Sequence, residues 1–386
     1  MIIPAAYLSA MFNNLKVVEL ASVLAGPLTG QFFAELGAQV IKIENPVTGG
    51  DVTRSWKAPG ENSDDRSAYF TSCNWGKKSV ALDLTSADDY ALLINIVRDA
   101  DVVITSYKSG DAKKLQVDYE TLSKLNPCLI YGEITGYGPT SDRVGYDAVV
   151  QAESGFMDMN GPSEGDPVKM PVALIDVLAA HHLKEGLLLA LIQRLTTGKG
   201  NRVTVSLMEA ALASLVNQAT NWLVGGKIPG RKGSAHPNIA PYGDFFNCAD
   251  GKKILLAIGS DRQFRDLLEV LGINGLNANT DLQKFNSNTL RVQNRIALNE
   301  FLSSKIARFH SEELFLKLKS KNVPSGLIKN IKEVFEDPGA ASMLLNAADR
   351  VAPRTFVAPD FIQKRNLSGP PKLGEHTEEI TGKLIR

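Results

Sequence analysis

A strand, a helix and a second strand follow one another within about 30 residues near the start of the chain, and this limits the fold more than any other feature. Leu15–Glu19 is a short, largely apolar run with two valines and reads as a buried strand. Ala25-Gly26-Pro27 then leads into Leu28–Leu36, whose apolar residues recur at helical spacing. Pro27 suits the first helical position and Gly37 the left-handed stop after the last turn. Val40–Ile43 is the second strand. A helix joining two strands over so short a distance makes them parallel, with a right-handed crossover. The alternation continues with strands at Val80–Leu82, Val102–Thr105 and Leu129–Ile134, and helices at Ala87–Val97 and Tyr119–Leu125. A long apolar helix over Leu174–Leu195 and a strand at Val203–Ser206 complete a doubly wound α/β layer.

The composition changes after Trp222. VGGKIPGRKGSAHPN is rich in Gly, Pro and basic residues, the mark of a linker or mobile loop. A strand at Lys253–Ile258 and helices at Phe264–Leu271 and Arg291–Phe309 predict a smaller α/β unit ending near Val323–Gly326. Asn366–Lys372 reads as a loop and Glu375–Leu384 as a terminal helix.

With 386 residues and 44% hydrophobic composition, the chain suits two domains or one large α/β domain with an insertion. Its 42 acidic and 42 basic side chains cancel, so no global field draws nucleic acid or an anionic membrane. An anionic cofactor would need a local basic patch. Cys73, Cys128 and Cys248 are odd in number and lack metal-ligand spacing. They point to a reducing, cytoplasmic setting without disulfides. The N-terminal MIIPAAYLSAMFNN is apolar but has no positive start, and Pro4 interrupts a stretch too short for a bilayer. It is expected to be a short arm, with Met11 as an alternative initiator.

The common catalytic signatures are missing: there is no Walker-type loop, GxGxxG, HExxH or GxSxG. Gly161-Pro162-Ser163-Glu164-Gly165 has glycines, but its Pro and Glu make a poor phosphate cradle. His181 and His182 adjoin within the long helix and point apart, so they are not expected to share a metal. One is expected to be buried and the other to face a polar surface.

Asp176 opens that same helix, where a carboxylate is costly to bury. It is either a first-turn aspartate meeting the positive helix end, or a nucleophile kept ionised by that end while apolar neighbours exclude water. Tyr146-Asp147 in VGYDAVV either orients a reacting carboxylate or forms a turn before a helix. Gly49–Arg54, with Trp56 beside it, reads as a polar loop after the second strand, where open α/β sheets bind ligands.

Longer blocks carry a resemblance. LASVLAGPLTGQFFAELGAQVIKIE, GGDVTR, NWGKKSVALDL, LNPCLIYGEITGYGP, GYDAVVQAESGFM, RLTTGKGNRVTVSLMEA, HPNIAPYGDF, VPSGLIKNIKEVFEDP and LGEHTEEI resemble, in this order, the class III (CaiB/BaiF-like) CoA-transferases. The resemblance covers nearly the whole chain after Asn14. It implies an α/β fold with a Rossmann-like large domain from residues 1–224 and 329–386, and a smaller inserted α/β domain at 225–328. It also implies two chains interlocked as a homodimer, with an interface well above the roughly 1,600 Å² of standard complexes.

The family's nucleophilic aspartate falls on Asp176, at the family's spacing from Tyr146, with Tyr146 and Asp147 as catalytic neighbours. Asp176 would attack an acyl-CoA and pass through a mixed anhydride to an aspartyl-CoA thioester, which an acceptor acid resolves in reverse. Backbone N–H groups of a glycine-rich loop would hold each oxyanion, and a lid would limit hydrolysis. The resemblance places Val23, Leu24 and Ala25 at the pantetheine arm or thioester, and Leu82 and Tyr107 near the adenine. Lys114 and Arg143 fall by the phosphates, and Trp56, Gly225 and Gly226 at the acid. It implies no metal and no permanently bound cofactor. Coenzyme A and acyl-CoA are substrates, and neither nucleic acid nor membrane is an expected partner.

The chain departs from the formyl-CoA-type members of this family. They carry glutamine where Leu24 stands and a basic residue where Asn45 stands. Their tetraglycine-plus-glutamine lid gives way here to Gly225-Gly226 and Gly230-Arg231-Lys232-Gly233. These differences argue against formyl-CoA/oxalate exchange and leave open a larger donor such as succinyl-CoA. Related α-methylacyl-CoA racemases have histidine where Tyr146 stands. A tyrosine of ordinary pKa near about 10 suits that proton transfer poorly, which makes racemase the second reading. A non-catalytic acyl-CoA-binding protein is a third, against which the intact Asp176 argues.

Overall fold

The computed structural model describes residues 12–141, 143–273, 280–360 and 362–383. The expected N-terminal arm, residues 1–10, lies outside them, as does the last residue of the expected C-terminal helix. That helix is confined to Thr377–Thr381.

The opening alternation forms β1 (Lys16–Leu20), α1 (Ala25–Leu36) and β2 (Gln39–Glu44). β1 and β2 pair in parallel, from Lys16 opposite Gln39 to Glu19 opposite Lys42. α1 starts earlier than expected, so Pro27 is its third residue, still within the first turn where a missing N–H breaks no helical bond. It stops at Gly37, whose φ of 105° returns its N–H to the Phe33 and Ala34 carbonyls.

β3 (Lys77–Ala81), α2 (Ala87–Arg98), β4 (Val102–Thr105) and β5 (Ile130–Thr135) follow. After them come α3 (Asp147–Glu153), α4 (Leu174–Thr197) and β6 (Asn201–Ser206). The six strands form a parallel sheet in the order β3-β2-β1-β4-β5-β6, a Rossmann-like arrangement. Alternate strand residues go to opposite faces, and both faces are covered. Val17, Val40, Val102 and Ile130 pack with α1 and α4, while Val18, Ile41, Val80 and Val103 pack with α2. The order reverses between β1 and β4, so the loops leaving them part and open a crevice at their carboxyl ends.

α4 buries Ile175, Asp176, Ala179, Ala180, Leu183, Lys184 and Leu187, a stripe at helical spacing. The expectation of a buried histidine fails. His181 and His182 fall beside this stripe, the first exposed and the second half-buried with Nδ1 3.7 Å from Glu185.

The chain divides into two compact units. One holds the residues up to Phe156, Lys169–Gly225 and the chain from Ala341 onward; the other holds Met157–Val168 and Gly226–Ala340. In the second, β7 (Tyr242–Asn247), β8 (Lys253–Ala257) and β9 (Ser325–Leu327) form an antiparallel sheet. α5 (Asp261–Val270), α6 (Arg295–Ile306) and α7 (Ser311–Ser320) pack with it around Ile254, Leu256, Phe264, Leu298 and Leu314.

This unit runs past the expected limit of 328, and it takes in Met157–Val168 because Arg231 and Gly233 hold that segment. Arg231 pairs with Asp158 at 3.2 Å and donates to the Gly165 carbonyl, and Gly233 donates to Gly161. The single helix expected over Arg291–Phe309 is two helices, Asn288–Gln293 and α6, broken at Asn294. β10 (Leu344–Ala347) and β11 (Arg350–Pro353) make a hairpin in the first unit. Among the described residues no helix is long and apolar enough to cross a membrane.

Candidate active site

The crevice between β1 and β4 is bridged at its base, where the Ser22 N–H donates to Ser106 Oγ at 3.3 Å. The next residue, Val23, is left-handed with φ 73°, a conformation rare for a β-branched side chain. It is held from two sides: its N–H donates to Asp51 Oδ1 at 3.3 Å, and its carbonyl accepts from the Cys73 thiol at 3.7 Å. Val23 and Leu24 are half-buried and Ala25 is buried as the first residue of α1.

α4 brings its N-terminus to the first turn of α1. Thr29 Oγ1 donates to the carbonyls of both Ala25 (3.0 Å) and Ala180 (3.5 Å), joining the two helices near their starts. Asp176 lies in the first turn of α4 and is only 9% exposed. No side chain at Ala173 caps that turn. Asp147 does so from α3, its Oδ1 accepting the Ile175 N–H at 2.8 Å. Asp147 Oδ2 accepts from Gln151 Nε2, and Gln151 Oε1 in turn accepts the Met170 N–H.

Burial, and secondarily the charge of Asp147, push the Asp176 carboxyl up to about 7. Burial and Asp147 thus oppose the ionisation that the positive helix end is expected to favour. The two members of the Tyr146-Asp147 pair sit in different surroundings. Asp147 faces inward to the helix end, while Tyr146 is 62% exposed just before α3.

Tyr69 belongs to this site, although the sequence reading missed it. Burial first and the Asp176 charge second raise its phenol to about 12, so it stays protonated. Trp56, 42% exposed, packs edge-to-face on Tyr69 with ring centroids 5.1 Å apart. Cys73 lies beneath, its thiol pushed to about 11 by burial. The AYF triplet after a polar loop was the available signal, with Tyr69 directly before the fully buried Phe70.

Below the crevice is a buried charge network that was also missed. Lys42 Nζ lies 2.9 Å from Glu19 and 2.9 Å from Asp51, and donates to the Ala21 carbonyl. Lys77 Nζ lies 2.8 Å from the other Glu19 oxygen and donates to the Pro27 carbonyl and to Asn74. Glu44 accepts twice from Arg54, at 2.8 and 2.7 Å, and also from Ser79. Gly30 leaves room for this network, since a Cβ there would lie 1.9 Å from Glu19. Burial opposes each charge. Lys42 still holds Asp51, and Arg54 holds Glu44, below the usual carboxylate range, while Glu19 and Asp51 keep Lys42 above the ordinary lysine value. The expected ligand-facing loop Gly49–Arg54 thus turns its two charged side chains inward.

The remaining expected contacts are spread along the carboxyl edge and beyond it. Leu82 is fully buried just after β3, with Tyr107 packed half-buried against the same cluster, so Leu82 offers no side-chain surface of its own. Lys114 is exposed at the end of the helix Ser109–Lys114. The Arg143 guanidinium is occupied, 2.7 Å from Glu153 and 3.9 Å over the Tyr137 ring. Gly225 and Gly226 are exposed, the second left-handed with φ 63°. Among the described residues no group of three or more His, Cys, Asp or Glu is placed to hold a metal ion.

The profile of the CoA-transferase family III matches residues 12–377. A succinate–glutarate CoA-transferase of Agrobacterium fabrum is 38% identical, over 96% of this chain and 95% of its own length. The succinyl-CoA:glutarate CoA-transferase of Mus musculus is 33% identical, over 97% of this chain and 86% of its own. A solved structure of a CaiB/BaiF family protein from Brucella suis superposes with a TM-score of 0.87 at 38% identity, covering 96% of this chain and 98% of that one.

Proposed function

The chain belongs to the CoA-transferase family III and is an enzyme that moves coenzyme A between carboxylic acids; we propose that it does so through an aspartyl-CoA thioester on Asp176, with succinyl-CoA as donor and glutarate or a similar dicarboxylic acid as acceptor. The observation that carries the intermediate is a carboxyl buried at the head of α4 and poised near neutrality. The named activities of the relatives support the substrates.

In its ionised form Asp176 attacks the thioester carbonyl. The new C–O bond forms as the C–S bond breaks, leaving a mixed anhydride and CoA thiolate. The thiolate then adds to the aspartyl carbonyl and expels the donor carboxylate, which yields aspartyl-CoA. The acceptor carboxylate repeats both exchanges in reverse, so the thioester free energy is conserved.

Burial favours this chemistry by keeping water away and making the carboxylate a stronger base. The protonated Tyr69 and the helix N-termini beside the crevice suit the negative charge that develops on the carbonyl oxygen. Val23, Leu24 and Ala25 would then meet the thioester arm, with Trp56, Tyr146, Gly225 and Gly226 around the acid. Tyr107, supported by Leu82, would take the adenine and Lys114 a phosphate, and Arg143 would join once released from Glu153.

Leu189, Ile192 and Leu195 on α4, with Leu212, Val216, Trp222 and Leu223 after it, are exposed apolar side chains that support an interlocked homodimer. On this reading the second unit is the smaller inserted domain. Three free cysteines among the described residues fit a cytoplasmic location.

The test is intact-mass measurement of wild type and Asp176→Ala after brief incubation with succinyl-CoA and a panel of other acyl-CoAs. A covalent CoA adduct on wild type alone is expected, cleared by glutarate with release of glutaryl-CoA. No adduct with any donor, together with α-proton exchange on a branched acyl-CoA, would overturn the reading in favour of a racemase.

A further inference from the structure

The transfer chemistry above makes no use of Asp51, yet this residue is more tightly held than most in the molecule. It is 3% exposed. Its Oδ1 accepts from the Val23 N–H (3.3 Å), the Thr53 N–H (3.0 Å) and Thr53 Oγ1 (2.8 Å). Its Oδ2 lies 2.9 Å from Lys42, and its own N–H donates to Glu44 at 2.9 Å. Both carboxylate oxygens and the backbone are therefore fixed, and Glu44 is in turn locked by Arg54.

We propose that Asp51 is a positioning residue for the transfer reaction: clamped by Lys42 and Thr53, it holds Val23 in the left-handed turn that sets the start of α1 against the helix carrying Asp176. The inference rests on the CoA-transfer reading and adds a residue that touches no reacting atom.

A valine at φ 73° occupies a sparsely populated region and stays there only when its surroundings impose it. The one acceptor found for its N–H among the described residues is Asp51. The turn hands directly on to α1: the Leu24 carbonyl takes the Leu28 N–H at 2.7 Å, and Thr29 links the Ala25 carbonyl to Ala180, one turn beyond Asp176. A Val23 released to negative φ would turn the peptide that leads into Leu24 and shift the start of α1. A purely structural role, in which Asp51 only neutralises Lys42, needs no such link.

Glycine distinguishes the two, because it adopts positive φ without help. The full-length enzyme is compared as wild type, Asp51→Ala, which removes the acceptor of the Val23 N–H, Val23→Gly and the double variant, reading kcat and KM for transfer from succinyl-CoA to glutarate. Asp51→Ala is expected to lower kcat on the order of 100-fold, with KM for succinyl-CoA changed less than about threefold. In the Val23→Gly background the same substitution is expected to cost less than about 10-fold.

Equal losses in both backgrounds, or a loss confined to KM, would overturn the inference. Should Asp51→Ala not fold, Thr53→Val takes its place. It leaves the Lys42–Asp51 pair intact, and the same comparison with Val23→Gly decides. A wild-type enzyme forming no Asp176-dependent adduct with any acyl-CoA would bring down the functional reading and this inference together. An active wild type with additive losses would bring down the inference alone.

Discussion

The Asp147 carboxylate accepts the Ile175 N–H at 2.8 Å, so one acid caps the helix that presents the other, Asp176. The two charges oppose each other, and Asp147 is the second cause, after burial, of the raised Asp176 carboxyl. Asp147→Asn keeps an oxygen for the cap and removes the charge. The rate of adduct formation should rise with pH through about 7 in wild type, as Asp176 ionises. In Asp147→Asn the midpoint should move to lower pH. Asp147→Ala should also lose the cap and about 1 kcal/mol of stability. Single-turnover adduct formation measured across pH 5 to pH 9, a range of roughly two decades either side of neutrality, checks the midpoints, and denaturant unfolding checks the stability. An unmoved midpoint would show that the two carboxylates do not sense each other.

Asp176 should cost stability in return for its reactivity. Its carboxyl is raised from 3.8 in the unfolded chain to about 7 in the fold, so folding favours the neutral form. That contribution is fully present below the unfolded value and is lost as pH rises to about 7 and above. The displacement corresponds to roughly 4 kcal/mol at most. Asp176→Asn, which stays neutral, should abolish adduct formation and yet be more stable than wild type by about 2–4 kcal/mol at pH 8. Near pH 4 the two should be nearly equal. Denaturant unfolding at the two pH values measures the difference, and no gain at pH 8 would place the ionisation penalty elsewhere.

The sheet was legible because its strands are apolar runs separated by helices with clear stops, as at Gly37. The network beneath the crevice was not. In VIKIE the polar Lys42 and Glu44 look like the solvent side of an alternating strand, but both faces of a parallel sheet are covered. Their partners, Asp51 and Arg54, sit in a loop that local reading marks only as polar. Glu19 and Lys77 come from separate strands and meet only through the strand order. Asp176 stood out because it starts a long apolar helix, whereas the residues alone left Asp147 open between a turn and a partner of a reacting carboxylate, and only α3 brings it to that helix. The division at Met157–Val168 was hidden for the same reason, since Arg231 holds it from more than a domain's linker away in sequence.

Lys184 is buried on α4 with 4% exposure, its ammonium 5.4 Å from the Phe32 ring centre and without a hydrogen-bond partner among the described residues. Burial pushes its pKa down to about 8, against the pull of Glu35. Folding therefore favours the neutral amine. The stability penalty is present below pH about 8 and is relieved as pH rises toward the ordinary value of 10.5. Lys184→Met keeps a long flexible chain against Phe32 and removes the charge. It should be more stable than wild type by about 1–3 kcal/mol at pH 7, because an unpaired buried charge is replaced by apolar packing. At pH 10 the advantage should shrink to about half or less. Urea unfolding at both pH values checks this, alongside gel filtration of each protein. A variant less stable at pH 7 that also loses its assembled state would mean that Lys184 finds its acceptor on a second copy of the chain.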